Sequence, residues 1–286
     1  MRYLLSNLPL NLGEEALDLA TPLAHALGGA PEDYRAVTLE RRSLDARHKG
    51  AIRFLTTIGF ESDRALELGP LPGGLKLDPA PATAPCAVAQ PPRRPKVVVV
   101  GSGPAGTFCA LRLLDYGIEP IVLERGPAMG ERVQAISGLW KDAVLDPEAN
   151  AQFGEGGAGT FSDGKLTTRI GHPATRYVLE AFVRSGANPR ILYLAKPHVG
   201  TDVIRRCAVL IRKEAEARGA EYRFRARLAD VRLDERGRVR AAVLASGEEI
   251  PCEALVLAPG HSARDTFEML HGHGVAMRQK PFAMGV

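Results

Sequence analysis

Hydrophobic positions along the chain alternate between the spacing of β-strands and the spacing of α-helices. Residues 96–100 form a run rich in β-branched side chains, which is typical of a strand buried on both faces of a parallel sheet. Apolar residues at helical spacing follow as far as Gly117, and residues 120–123 form a second apolar strand. This order predicts a β–α–β unit of about thirty residues. The further elements predicted are a helix over 201–218, a strand over 221–224, a hairpin of 228–233 with 239–245, and a buried strand over 254–258.

The N-terminal part of the chain has a different pattern and predicts a smaller unit. A short strand at 3–5 and a helix over 14–27 precede two strand-like runs at 36–40 and 51–60. A strand, a helix and a hairpin together make a small α+β domain, which we assign to residues 1–69.

A proline-rich segment separates this domain from the β–α–β unit. Residues 70–95 contain eight of the 21 prolines of the chain. Because proline fixes φ and removes a backbone donor, the segment favours a linker over a helix or a central strand. The predicted organisation is an α+β domain at 1–69, a linker at 70–95 and an α/β domain at 96–286.

A glycine-rich turn follows the first strand of the β–α–β unit and opens its helix. The turn consists of Gly101, Ser102, Gly103, Pro104, Ala105 and Gly106, and Glu124 ends the second strand 18 positions later. We expect Gly101 to allow the tight turn, Gly103 to leave room for a pyrophosphate, and Gly106 to let the helix pack closely on the sheet. Glu124 can accept hydrogen bonds from ribose hydroxyls. The pattern predicts a dinucleotide site in a Rossmann-like domain, and a purely structural turn is the alternative.

The residues after the second strand bear on which dinucleotide binds. The sequence Glu124-Arg125-Gly126 resembles the end of this strand in FAD-binding Rossmann domains of the glutathione-reductase type. Arg132 is placed to reach a phosphate of such a cofactor, and a surface ion pair is the alternative. We therefore expect FAD, although the glycine motif alone leaves NAD(P) open.

A second glycine-rich block covers residues 153–166 and contains five glycines among fourteen residues. So much backbone freedom argues against a core element and favours a loop whose N–H groups approach a ligand. Gly156 and Gly157 are the candidate contacts of the backbone with a cofactor. The candidate side chains near the flavin or a substrate are those of Ser162, Asp163 and Lys165. A mobile surface loop is the alternative.

Together these motifs resemble one family, the bacterial FAD-dependent dehydrogenases of unassigned substrate, within the wider group of NAD(P)/FAD-dependent oxidoreductases. The resemblance is carried by residues 97–106, 124–126, 153–166, 260–267 and an N-terminal turn at 42–47. It implies FAD as cofactor, redox chemistry, and reduced NAD(P)H as a candidate electron donor. It also implies that the backbone at Val231, near the start of the hairpin, meets adenine and that Gly260 lies near the cofactor.

The sequence departs from this family at its C-terminal end. Family members continue into a further domain and then return to the FAD domain with a Gly-Asp segment, whereas this sequence stops at Val286. We therefore expect the N-terminal portion of a longer or split flavoprotein, with a need for the missing C-terminal part left open. Two other hypotheses remain: a nucleotide-binding remnant without turnover, and an NAD-binding regulatory domain.

Composition narrows the class of protein further. The 286 residues are 45% hydrophobic and carry a net charge of +4, as in an ordinary folded protein. No isolated basic block suggests nucleic-acid binding, no apolar run suggests a membrane span, and no leader is evident, so we expect a cytoplasmic protein. Four cysteines without a Cys-x-x-Cys pair argue against a zinc ribbon or a disulfide framework. No metal site and no catalytic acid or base is predicted.

Overall fold

The computed structural model describes residues 1–13, 18–80, 91–162, 164–166, 170, 172 and 174–281. The chain forms two compact units. The first unit comprises Met1–Ala87 and Lys165–Val199, and the second comprises Val88–Gly164 and Gly200–Val286. None of the helices in these described ranges is long and apolar enough to cross a membrane.

Strands and helices are numbered here in chain order. The strands are β1 (Arg2–Asn11), β2 (Arg35–Asp45), β3 (Arg53–Glu61), β4 (Gly69–Pro70), β5 (Lys76–Pro79), β6 (Val97–Val100), β7 (Ile121–Leu123), β8 (Glu221–Arg223), β9 (Leu228–Leu233), β10 (Val239–Leu244), β11 (Glu249–Pro251) and β12 (Ala254–Leu257). The helices are α1 (Ala20–Leu27), α2 (Pro104–Asp115), α3 (Met129–Asp142), α4 (Thr175–Arg184), α5 (Thr201–Ala217) and α6 (Arg264–Gly272).

The first unit is built on an antiparallel sheet with the strand order β2–β3–β1–β5–β4. Leu5 of β1, with Ile58 and Phe60 of β3, forms its core together with Leu23 of α1. Thr56, Ile58 and Phe60 of β3 are buried at every second position, which matches the two-residue period of a strand with one face on the core. The segment Lys165–Val199 joins this sheet at β2, where the Arg42 N–H donates to the carbonyl of Tyr193 at 2.7 Å.

The second unit contains a parallel sheet with the order β12–β6–β7–β8. Its central strand β6 has four buried valines whose side chains alternate between two cores. Val97 and Val99 pack with Ala110 of α2, whereas Val98 and Val100 pack with residues of the antiparallel sheet β11–β10–β9. Each buried valine stabilises the fold by roughly 1.5–3 kcal/mol relative to an exposed one. This covering of both faces explains the continuous β-branched run in the sequence.

The predicted α/β class and its Rossmann-like sheet are confirmed. The β–α–β unit, helix α5, strand β8, the β9–β10 hairpin and strand β12 form close to their predicted bounds. The predicted helix over 14–27 is shorter in the structure: α1 runs from Ala20 to Leu27, residues 18 and 19 are not helical, and residues 14–17 lie outside the described ranges. Helices α3, α4 and α6 are not predicted by the sequence analysis.

Two features of the predicted domain organisation differ from the structure. Part of the expected linker, residues 70–79, contributes to β4 and β5 of the first sheet, because prolines are tolerated in an edge strand and at a strand end. The expected single domain at 96–286 is also interrupted, since Lys165–Val199 belongs to the first unit. The chain leaves the second unit at Gly164 and returns at Gly200, where the Gly200 N–H donates to the Gly164 carbonyl at 3.4 Å.

Candidate dinucleotide-binding site

A cleft of about 260 Å³ lies within the second unit, at the carboxyl ends of its parallel strands. Val100 ends β6, Leu123 ends β7, Ala226 follows β8 and Ala258 follows β12, and all four line the cleft. In open α/β sheets, ligands bind outside the carboxyl ends of the strands. The remaining lining residues are Gly101, Gly103, Pro104, Ala105, Glu124, Arg125, Gln152, Phe153, Gly154, Gly157, Ala158, Arg227, Leu228, Pro259, Gly260 and Thr266.

The three glycines of the first turn have different physical reasons for being glycine. Gly101 has φ +104°, and a Cβ there would lie 2.2 Å from the carbonyl oxygen of Ala258. A Cβ on Gly106 would lie 1.8 Å from the carbonyl oxygen of Gly101. Gly103, in contrast, has an ordinary φ of −65°, and an added Cβ would meet no heavy atom of the described residues within 4 Å. The fold therefore requires Gly101 and Gly106, whereas Gly103 borders open space in the cleft.

Helix α2 begins at this turn, with Gly103 as N-cap and Pro104 in its first turn. Within the described ranges, no side chain caps this helix start. The first N–H groups of a helix have no intrahelical acceptor, and the helix dipole makes this end positive. Gly103, Pro104 and Ala105 all line the cleft, so this end of α2 is suited to an anionic group such as a pyrophosphate.

The carboxylate of Glu124 is buried and is held by hydrogen bonds within the protein. Oε2 accepts from the Ser102 N–H at 2.9 Å and from the Ser102 hydroxyl at 2.7 Å, while Oε1 accepts from the Gly126 N–H at 2.8 Å. Ser102 is fully buried, and a Cβ on Gly126 would lie 2.7 Å from the carbonyl oxygen of Glu148. Because a carboxylate has about four acceptor positions, Glu124 keeps room for a ribose hydroxyl while tying the glycine turn to the end of β7.

Arg125 lies at the mouth of the cleft in a cluster of paired charges. Its guanidinium contacts Glu148 at 2.5 and 3.2 Å and Asp265 at 3.0 Å, and Asp265 also accepts from Arg227 at 3.2 Å. The hydrogen bonds that Arg125 donates to Glu148 raise the pKa of Arg125, and the hydrogen bond that Asp265 accepts from Arg125 lowers the pKa of Asp265. The two arginines that line the cleft are therefore largely neutralised by carboxylates rather than free for a phosphate.

The prediction that Arg132 reaches a cofactor phosphate is wrong for this structure. Its side chain is fully buried, and its guanidinium donates to loop carbonyls and to the Thr160 hydroxyl. Arg132 lies on the inner face of α3 between Met129 and Ile136, at helical spacings of three and four, which turns it away from the cleft. Burial lowers its pKa to about 10, so the side chain is still a cation at neutral pH.

The second glycine block is divided between the cleft and the packing behind it. Gly157 lines the cleft, and a Cβ there would lie 2.7 Å from Cδ of Pro104. Gly156 does not line it: a Cβ there would meet Thr160 at 2.7 Å and Ala208 at 2.8 Å.

Two of the three side chains predicted from this block belong to described residues, and neither of these two is among the residues that line the cleft. Lys165 belongs to the first unit, where it forms a β-bridge with His198, because the chain leaves the second unit one residue earlier. Ser162 is exposed, and its carbonyl accepts from the Thr201 hydroxyl at 2.5 Å. Asp163 lies outside the described residues.

The hairpin contributes to the cleft through a different segment from the one expected. Val231 packs in the core and its N–H donates to Asp230 at 2.9 Å, so the expectation that it meets adenine is wrong for this structure. The cleft is lined instead by the segment 226–228, which links β8 to β9, and Gly260 lines it as predicted from the strand end. The position of 226–228 in the sequence could have indicated this, because the segment comes shortly after β8, the third parallel strand in chain order.

Gln152 and Thr266 also line the cleft. Neither was predicted as a site residue, although Thr266 falls in the segment 260–267 that carries the family resemblance. Thr266 lies in the first turn of α6, a helix that was not predicted from the sequence. Gln152 precedes the second glycine block and has no feature in the sequence that marks it as a site residue.

Comparison with known proteins identifies the family to which this chain belongs. The sequence profile of the pyridine nucleotide-disulphide oxidoreductases matches residues 95–264, which is more than half of the chain and includes the whole glycine turn. The chain belongs to this family. Its members are FAD-binding oxidoreductases, and FAD is the cofactor that fits the dinucleotide cleft described above.

The chain is also similar to individual proteins. An uncharacterized protein of Clostridium beijerinckii is 38% identical over 288 residues, covering 100% of this chain and 54% of that protein. The chain thus spans about half the length of this relative. The dual trans-enoyl reductase/FAD-dependent monooxygenase tazHJ of Aspergillus terreus is 44% identical over 61 residues, which is 20% of this chain and 9% of that protein. Among solved structures, THI4 of Thermovibrio ammonificans aligns with 18% identity and a TM-score of 0.43, with 64% of each chain covered.

Proposed function

We propose that this chain is the FAD-binding part of a flavoprotein dehydrogenase that takes electrons from a small substrate or from NAD(P)H. The open space at Gly103 carries the proposal, because a Cβ at that position would meet no heavy atom of the described residues within 4 Å. A glycine that the fold does not require, in the middle of a glycine turn and on the wall of a cleft, indicates close approach of a ligand.

In this proposal, the other residues of the cleft would contact different groups of the FAD molecule. The start of α2 would face the pyrophosphate, and the free acceptor position of Glu124 would take a ribose hydroxyl. The second glycine block and the apolar residue Phe153 would border the flavin side of the cleft. When bound, the flavin supplies hydride or electron transfer, and the protein supplies its orientation and shielding from water.

The cysteines argue for a dehydrogenase over dithiol exchange within this chain. The sequence has no Cys-x-x-Cys pair, and Cys109, Cys207 and Cys252 are free thiols. Burial raises the pKa of Cys109 and Cys252, which keeps both thiols protonated and poorly nucleophilic. Electrons would therefore pass between the flavin and a substrate or nicotinamide rather than to thiols of this chain.

The proposal is tested first by the absorbance spectrum of the purified chain and by titrating the cofactor-free protein with FAD and with NAD. We expect a flavin spectrum, or saturable uptake of FAD with a rise in melting temperature, and no comparable effect of NAD. A protein stabilised by NAD and indifferent to FAD would favour an NAD-binding regulatory domain and refute the proposal.

The redox part of the proposal needs a second measurement on the FAD-loaded protein. Anaerobic mixing with NADH or NADPH should bleach the flavin absorbance, and dithionite serves as the positive control for reducibility. A chain that binds FAD but is bleached only by dithionite would support the alternative of a binding remnant without turnover, or a donor other than a nicotinamide.

A further inference from the structure

The buried guanidinium of Arg132 gathers the carbonyl oxygens of the second glycine block. It donates to the carbonyls of Asn150 at 2.9 and 3.1 Å, Glu155 at 2.5 Å and Gly157 at 3.3 and 3.4 Å. A further bond reaches the Thr160 hydroxyl at 2.9 Å, and this hydroxyl in turn donates to the Gly157 carbonyl at 2.7 Å. The loop therefore presents its carbonyl side to a single buried cation.

This arrangement fixes where the N–H groups of the same loop point. A trans peptide group is planar, and its C=O and N–H bonds point in opposite directions. Because the Glu155 carbonyl faces Arg132, the next N–H, that of Gly156, faces the other way and donates to the Ser102 carbonyl at 3.1 Å. By the same geometry the Gly157 carbonyl turns the N–H of Ala158 away from Arg132, and Ala158 is an exposed residue on the wall of the cleft.

The charges around Arg132 are arranged so that it remains a cation in this position. Glu124 and Glu155 favour its charged form, whereas Arg205 opposes it. Arg205 stacks on the ring of Phe161 at 4.3 Å, while Arg132 stacks at 4.7 Å. The Glu155 carboxylate is shared with Arg212 at 2.7 Å, and it also accepts from the N–H of Met129 at 2.6 Å.

We propose that Arg132 is a positioning residue for the anionic part of the cofactor, acting through the backbone of the second glycine block without touching the ligand. By holding the loop carbonyls, it directs the Ala158 N–H into the cleft and ties the loop to the glycine turn at Ser102. Its own positive charge lies behind the loop and adds to the field at the cleft wall. This inference rests on the proposed function, since it assigns a role in binding FAD.

The test compares FAD affinity in the full chain with the variants Arg132→Met and Arg132→Lys. Loss of hydrogen bonds to buried carbonyls and of the charge should weaken FAD binding by about tenfold or more in Arg132→Met. Arg218→Met removes a surface arginine at the end of α5 and should leave the affinity unchanged. Circular dichroism and thermal unfolding report on whether each variant is folded.

The lysine variant supplies a measurement that a merely structural role would not move. Burial of the kind that lowers the pKa of Arg132 would also lower the pKa of a lysine at this position, and a lysine starts from a lower pKa than an arginine. The variant should then bind FAD well at pH 6.5 and several-fold more weakly at pH 9, while the wild type changes little between these values. The charged groups that face this site are Glu124, Glu155, Arg205 and Arg212.

The outcomes separate this inference from the proposed function. If the wild type binds no FAD, both fail. If the wild type binds FAD while folded Arg132→Met binds equally well and Arg132→Lys shows no added pH dependence, only the positioning role fails. Should Arg132→Met not fold, Thr160→Val decides instead: it keeps the buried shape but removes one donor to Gly157, and it should weaken FAD binding by about two- to tenfold. Unchanged affinity in that folded variant overturns the inference.

Discussion

Replacing Gly103 with alanine should weaken FAD binding while leaving the fold intact. The added methyl group meets no neighbour within 4 Å in the part of the chain that the structure describes, and its position borders the cleft. Gly103 has φ −65° and ψ 179°, which alanine adopts without strain. The substitution therefore separates the space needed by a ligand from the space needed by the protein.

The expected magnitudes follow from a comparison with Gly101→Ala in the same turn. At Gly103, the poorer N-cap preference of alanine costs up to about 1 kcal/mol, and the smaller freedom of the unfolded chain offsets about 0.4–1 kcal/mol. At Gly101, a residue with φ +104° costs about 1–2 kcal/mol and a Cβ 2.2 Å from the Ala258 oxygen adds about 1–3 kcal/mol of overpacking. We therefore expect the free energy of unfolding to be nearly unchanged in Gly103→Ala and to fall by about 2–5 kcal/mol in Gly101→Ala.

Thermal unfolding of the cofactor-free proteins and titration with FAD test this pair. Since 1 kcal/mol corresponds to about 2–4 °C for a chain of this size, Gly101→Ala should melt at least about 4 °C lower and Gly103→Ala within about 2 °C of wild type. Gly103→Ala should nevertheless bind FAD about tenfold or more weakly. A Gly103→Ala protein with wild-type affinity for FAD would refute the interpretation that a ligand approaches this turn closely.

Two further predictions concern other parts of the second unit. In Glu124→Gln, an NH₂ group replaces one of the two carboxylate oxygens, and it cannot accept the hydrogen bond that this oxygen accepts from Ser102 or from Gly126. Urea unfolding of the cofactor-free protein should therefore show a free energy of unfolding lower by about 1–3 kcal/mol. An unchanged free energy of unfolding would contradict the buried hydrogen bonds. The His273 ring hydrogen-bonds to Asp230 at 2.6 Å and holds the pKa of that carboxyl below 3.8, so Asp230 stabilises the fold at neutral pH and loses this contribution as pH falls through its lowered pKa. NMR titration of His273→Ala should therefore show a higher pKa for Asp230, and an unshifted value would remove the histidine as the cause.

The β–α–β unit could be predicted because its signals are local. A run of four apolar residues specifies β6, and the glycine turn with the apolar residues at helical spacing after it specifies where α2 begins and ends. None of these signals depends on distant parts of the chain. Glu124 could be placed at the strand end by counting alone. What counting could not give is that Ser102 and Gly126 occupy three of its acceptor positions, since that depends on how two loops meet.

The errors at Arg132 and Val231 have different origins. Arg132 was assigned its role from its place in the chain after the second strand, whereas the direction of its side chain depends on which face of its helix is buried. The role of the Val231 backbone was taken from the family resemblance. Arg132 falls on the same face of α3 as Met129 and Ile136, and Val231 falls on the core face of β9. A helical pattern that places an arginine between two apolar residues was the available signal, and it indicated burial rather than a phosphate.

Glycine content by itself overstated how much of the chain faces a ligand. Gly101, Gly106 and Gly156 are glycines because a Cβ would strike backbone or side chains of the same unit, and their presence says nothing direct about a cofactor. Gly103 differs because its neighbourhood is empty, and Gly157 because it both lines the cleft and touches Pro104. A motif of spaced glycines therefore contains two superimposed requirements, one from packing and one from binding. Only the positions that packing leaves unexplained bear on function, which is why Gly103 is the residue on which the FAD assignment is most directly tested.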